Sequence, residues 1–156
     1  MTALTVIEQQ AVQAAAPLEV LTSRLGEEEY GINILAVQEI RSYEQPTRIA
    51  NAASHMLGIM NLRGVIVPII DLRRLLGLPA ENGVNTVTVV VNFGGRTVGL
   101  VVDGVSDVVA LGGTQIQPRP PLGTVDADFI VGLATLDTTP PRMLLILDLG
   151  LLLQDF

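Results

Sequence analysis

The chain has 156 residues, 49% of them hydrophobic, enough to bury one core or two small ones. With no cysteine and a single histidine, His55, it excludes disulfides, thiolate metal sites and a His-based zinc cluster, and it fits a reducing cytoplasm. All nine basic residues are arginine against sixteen acidic ones, and three Phe, two Tyr and no Trp supply no stacking platform, so neither nucleic acid nor an anionic membrane surface is an expected partner.

In chain order, residues 1–17 lack the positively charged start of a signal peptide and read as a weak helix or mobile segment ending at Pro17. From Leu18 an alternating run leads to a glycine turn, Gly26-Glu27-Glu28, and a second run, the pattern of a β-hairpin. Val65 to Ile70 is a continuous aliphatic run of strand length, and the Pro68 inside it predicts an edge strand or a bulge. Asp71 then precedes leucines at three- and four-residue spacing, which suits an N-cap and a short helix. After Pro79-Ala80-Glu81-Asn82-Gly83 the same sequence of features returns. There is a run from Val87 to Val91, the turn Gly94-Gly95-Arg96, the run Met143 to Leu147, and Asp148 before another leucine-rich stretch. No apolar run approaches the ~20 residues that cross a bilayer.

That return is an internal duplication. Leu25 to Ile40 lies without a gap over Phe93 to Val108, matching Gly26 with Gly94, Gly31 with Gly99, Val37 with Val105 and Glu39 with Asp107, an offset of 68. Farther on, Gly58 to Leu62 resembles Gly132 to Leu136, and Ile69 to Leu76 resembles Ile146 to Leu153. The expected organisation is one unit at about residues 18–79 and another at about 84–156. Short strands at close intervals predict a mainly β fold of two linked small barrels, not a parallel α/β sheet.

No conventional catalytic constellation emerges. An aspartic-protease pair needs Asp-Thr/Ser-Gly in each half, whereas Asp71 and Asp148 are each followed by leucine, so capping is their reading. Ser54-His55 lacks an orienting carboxylate, and Gly94-Gly95 and Gly112-Gly113 belong to no phosphate-binding motif. Glu27-Glu28-Glu29 reads as a solvated turn because three consecutive side chains do not converge on one cation. No cofactor or metal is expected, and the weight moves to binding.

Specific strings carry a resemblance. EEYGINILAVQEIR (Glu28 to Arg41), GIMNLRGVIVPIIDLR (Gly58 to Arg73), VGLVVDGVSDV (Val98 to Val108), GLATLD (Gly132 to Asp137) and RMLLILDL (Arg142 to Leu149) are similar to the CheW family of bacterial chemotaxis coupling proteins, in the family's order over about residues 18–153. The resemblance implies two five-stranded SH3-like β-barrels with short helices. It also implies an adaptor without catalytic activity that joins the cytoplasmic tips of methyl-accepting chemoreceptors to the histidine kinase CheA. Such a protein is cytoplasmic, a monomer alone, and recruited to membrane-anchored receptor arrays.

By the same resemblance the receptor tip lies in a groove between the barrels, at positions matching Val37, Glu39, Gly58, Arg63, Val105 and Val108. The kinase is met by an apolar patch at Leu21 and Ile34, and by a second contact near Gln117 and Leu122. An arginine between Leu62 and Gly64 on a turn has the chemistry for forked hydrogen bonds, with Glu39 as the partner that fixes it. The alternatives are a CheW-like domain of a CheV- or CheA-type protein and, from another class, a hydrolase with an inter-barrel groove. The ending at Phe156, with no receiver or kinase domain, favours the stand-alone coupler.

Overall fold

The computed structural model describes residues 18–118 and 128–155. The N-terminal segment 1–17 and Leu122 lie outside the described residues. Eleven strands follow in order: β1 (Leu18–Leu25), β2 (Glu28–Asn33), β3 (Val37–Ser42), β4 (Met56–Leu62), β5 (Val65–Asp71), β6 (Val87–Phe93), β7 (Arg96–Val102), β8 (Gly104–Leu111), β9 (Ile116–Pro118), β10 (Ile130–Leu136) and β11 (Arg142–Leu147). One-turn helices follow β5 and β11, α1 (Leu72–Leu75) and α2 (Leu149–Leu152), and a 3-10 turn, Ile34–Ala36, links β2 to β3.

The predicted turns and caps form for the predicted reasons. Gly26 and Gly94 occupy the left-handed region, with φ of 64° and 60°, which a side chain disfavours. Asp71 accepts a hydrogen bond from the Arg73 N–H at 3.0 Å and Asp148 from the Leu151 N–H at 2.9 Å, each satisfying a donor that a helix start leaves open.

Strand pairing departs from the expected contiguous halves. One sheet has the order β8-β1-β2-β11-β10-β9, the other β3-β6-β7-β5-β4. The two compact units are accordingly interleaved along the chain. The first comprises residues up to Ser23, Glu28–Leu35 and the chain from Ser106; the second comprises Arg24–Glu27 and Ala36–Val105. Replacing each strand by its repeat counterpart turns β3-β6-β7-β5-β4 into β8-β1-β2-β11-β10, so both units share one plan and β9 is an added edge. In each, the opening hairpin of one half pairs in parallel with the last strand of the other: β2 with β11, β7 with β5. The boundaries 18–79 and 84–156 mark the sequence repeat, and the packed units cut across them.

The parallel seam explains a glycine match that the repeat alone leaves unexplained. Gly31 stands opposite Ile146 and Gly99 opposite Ile69. A Cβ on Gly31 would meet the Ile146 Cδ1 at 3.2 Å, and one on Gly99 would meet the Ile69 Cδ1 at 2.6 Å. In both seams the isoleucine methyl fills the space a side chain would take. Ile146 belongs to the first core, with Val20, Leu111, Ala134 and Leu144, and Ile69 to the second, with Leu62, Val67, Val90 and Val101.

Pro68 differs from expectation, because β5 is an inner strand flanked by β4 and β7. The ladder to β7 starts only at Ile69, so at Pro68 the strand pairs on one side alone.

Arg73, on α1, is 1% exposed, as is Asp71. Its Nε and Nη2 donate in a fork to Asp71 (3.0 Å each), Nη1 donates to the Glu81 carbonyl (2.9 Å) and to Asp103 Oδ1 (3.1 Å), and Nη2 also reaches Asn82 Oδ1 (2.7 Å). All five guanidinium donors are occupied. Burial lowers the guanidinium's pKa, but the bonds to Asp71 and Asp103 outweigh it and the net shift is upward. Replacing Arg73 with Met leaves the buried Asp71 with no counter-charge but the half-exposed Arg74, whose Nε lies 3.7 Å from Oδ2. The expected loss is about 3–5 kcal/mol of unfolding free energy, read from the urea midpoint. A change below 1 kcal/mol would show that the network contributes no net stability.

Candidate functional site

In the second unit, β4 and β5 are joined by a two-residue turn, Arg63-Gly64, in which both residues have positive φ, 54° and 85°. Such a turn matches the twist of a hairpin and usually carries asparagine then glycine. Here Asn61 lies two residues earlier, its Oδ1 accepting the Gly64 N–H at 2.8 Å, and an arginine sits in the left-handed position. A non-glycine residue held there costs backbone energy, and such residues concentrate at functional sites.

The Arg63 side chain, 65% exposed, makes a two-pronged bond to Glu39 on β3: Nη1 to Oε1 at 3.2 Å and Nη2 to Oε2 at 2.8 Å. β3 and β4 are the two edges of this sheet, so the pair draws opposite edges together and the sheet curls toward closure. Arg63 holds the Glu39 carboxyl below the usual glutamate range, chiefly by hydrogen bonding, and its own pKa is raised in return. Val37 stands two residues before Glu39 in β3 and is half-buried like it.

Gly58 has a different character. It is buried at an irregularity in the β4–β5 register, with φ of 146°, and a Cβ there would run into the Thr47 carbonyl oxygen. Thr47 and Ile59 exchange N–H···O bonds of 2.9 Å beside it, so Gly58 shapes the backbone near Arg63's strand and presents no side chain of its own. Val105 and Val108 both lie on β8, Val105 half-buried and Val108 47% exposed.

The first unit contains a second cluster, which the sequence reading missed. Arg142, at the start of β11, donates from Nε and Nη2 to Glu29 at 3.0 and 2.6 Å, and from Nη1 and Nη2 to Asp107 at 3.1 and 3.0 Å. The Thr22 hydroxyl donates to Asp107 Oδ1 at 2.6 Å and accepts the Asp107 N–H at 3.0 Å. Hydrogen bonds from Arg142, then Thr22, hold Asp107 below the ordinary aspartate value, and the Arg142 pKa is raised. A signal was present in the sequence, since Asp107 is the repeat counterpart of Glu39; nothing local pointed to its arginine.

Of the residues expected to face a kinase, Leu21 needs correction. It is 4% exposed in β1 and offers no surface, because Leu21, Thr22 and Ser23 are all buried there. Ile34 is half-buried in the turn after β2, where its neighbour Leu35 is 87% exposed, so Leu35 is the apolar side chain that this turn presents. Gln117 is exposed on β9, paired with Leu133 of β10.

Among the described residues no group of three or more His, Cys, Asp or Glu side chains could hold a metal ion, and no helix is long and apolar enough to cross a membrane. An open cleft of about 480 Å³ on the second unit is lined by residues including Arg24, Glu81, Val84 and Asp103. Its Asp103 is engaged by Arg73 and by the Gly26 N–H at 2.8 Å.

The family model described as the CheW-like domain matches residues 19–156. A chemotaxis protein CheW from Klebsiella aerogenes is 52% identical over 141 residues, covering 87% of this chain and 81% of that protein. One from Bacillus subtilis is 32% identical, with 81% and 80% covered. Among solved structures, the scaffolding protein TtCheW from Thermoanaerobacter tengcongensis matches with a TM-score of 0.77 at 32% identity, over 85% of this chain and 89% of that one.

Two outcomes follow from this geometry. Both Glu39 and Asp107 have depressed pKa values in the folded state, so the stability they contribute is present above their ordinary values of 4.5 and 3.8 and is lost as pH falls through the depressed ones. The urea midpoint of the native chain should therefore fall more steeply on acidification below about 4.5 than that of the Glu39→Gln, Asp107→Asn double variant. Parallel curves would show that neither pair is linked to folding. Separately, Gly58→Ala should lower stability by about 2 kcal/mol or more through strain and collision, seen as a reduced thermal midpoint.

Proposed function

The chain belongs to the CheW-like domain family, and from that membership we propose that it is a chemotaxis adaptor, coupling methyl-accepting chemoreceptors to a CheA-type histidine kinase so that receptor state controls kinase autophosphorylation. It performs no catalysis itself. It works in the cytoplasm, recruited to receptor arrays, and joins two partners through separate surfaces.

The observation that carries this reading is Arg63, an exposed guanidinium on a strained two-residue turn, aimed by a forked bond to Glu39. A planar guanidinium held in this way keeps some of its donors available to a carboxylate or a helix-end carbonyl of a receptor tip. Val37 beside Glu39, and Val105 and Val108 on β8, supply apolar contact to the receptor, while Gly58 fixes the backbone. For the kinase, the turn at Ile34 and Leu35 takes the place given to Leu21, and Gln117 with Leu122 forms the second contact. Each contact is individually weak, and strength comes from multivalent assembly in the array.

The test is reconstitution of receptor, kinase and this protein, with autophosphorylation measured with and without attractant. The protein should raise kinase activity and restore its suppression by attractant; failure of both would end the coupling assignment. Arg63→Glu should lose receptor association while keeping the native unfolding curve, since the side chain is 65% exposed. Unfolding of that variant would assign Arg63 to structure alone.

A further inference from the structure

Glu39 and Asp107 are repeat counterparts, and each accepts bonds from an arginine that reaches across its own unit. The arginines are not counterparts. Arg63 lies on the β4–β5 turn, whereas Arg142 opens β11 in a pair with Leu136, and the residue at the repeat position of Arg63 is Asp137. The same carboxylate clamp has thus been completed twice by different means, which indicates that the clamped strand, and not a shared ancestral ion pair, is what the arrangement serves.

The two clamped strands are alike in what they carry. Val37 precedes Glu39 by two residues in β3, across an irregularity at which they stand opposite Val91 and Val90, and Val105 precedes Asp107 by two in β8, where in an extended strand the valine lies on the same face as its carboxylate. In β8, Val108 follows Asp107 and points to the opposite face, 47% exposed. β8 is an edge strand, with β1 as its single neighbour in the sheet. An edge strand has freedom to slip or fray, and a slip by one residue would exchange the faces of Val105 and Val108. Asp107 is held on three sides against that: by Arg142, which Glu29 anchors from β2, by the Thr22 hydroxyl, and by its own N–H bonded back to Thr22.

We propose that Arg142, with Glu29, Asp107 and Thr22, is a positioning cluster that holds β8 in the register at which Val105 and Val108 meet the receptor, as Arg63 and Glu39 do for β3. The proposal rests on the coupling function given above. Arg142 and Asp107 act through the valines and need not touch the receptor.

The test measures, on the same full-length samples, association with a chemoreceptor cytoplasmic fragment, association with the kinase, and the urea midpoint. The variants are Arg142→Gln and Asp107→Asn. Asp107→Asn, at a half-exposed site and able to keep an acceptor for Thr22, covers the case in which Arg142→Gln fails to fold. The single changes should each weaken receptor association by about tenfold, the equivalent of losing one charge-assisted hydrogen bond. Kinase association should stay at the native level.

Unchanged receptor association in both single variants would overturn the proposal. So would equal loss of both associations in step with the unfolded fraction, which is what a merely structural pair produces. Arg63→Glu run alongside separates the two levels: if it loses the receptor while Arg142→Gln and Asp107→Asn keep it, only the positioning role fails. If all variants keep it, the receptor-coupling reading fails as well.

Discussion

A guanidinium that is 1% exposed, with every one of its donors satisfied, is the constraint on which the second unit depends. Arg73 ties the end of β5 through Asp71, the connecting loop through the Glu81 carbonyl and Asn82, and the end of β7 through Asp103. Asp103 in turn accepts the Gly26 N–H at the tip of the β1–β2 hairpin. One cation therefore joins four stretches of chain from both halves of the repeat. A buried charge is tolerated only when paired and fully bonded, so this arrangement fixes the course of the chain between the halves as well as its local packing.

That course matters because the two halves exchange their opening hairpins. Each unit takes a hairpin from one half and three further strands from the other, with β9 a fourth in the first unit, joined by a parallel seam in which a glycine faces an isoleucine. A side chain at Gly31 or Gly99 would press on the isoleucine opposite, so bare backbone at these positions suits the close packing of each seam. The result is one chain whose two units share a plan and are each built from both halves of the repeat.

The surface ion pairs do a different task. Arg63–Glu39 and Arg142–Asp107 involve side chains that are 65% and 21%, and 27% and 47%, exposed, and pairs so open to water contribute little to stability. Their value is geometric. Each arginine holds a carboxylate on a strand that carries the valines expected to face a receptor, and each links strands that are not neighbours in their sheet.

The sequence by itself determined what is local. Turns at Gly26 and Gly94 and caps at Asp71 and Asp148 are written in residues within a few positions of one another, because a left-handed φ or an unsatisfied helix donor is settled within one turn of chain, and the duplication and the family show in the order in which such short strings recur. The turn arginine and its Glu39 partner were legible too, through their places in two specific strings. Only the tertiary structure decided the rest. Which hairpin completes which unit, the burial of Leu21, the fivefold engagement of Arg73 and the meeting of Arg142 with Glu29, 113 residues away, follow from strand order and side-chain packing. Alternation along a strand shows that one face is buried, but it carries no information about which distant strand will bury it.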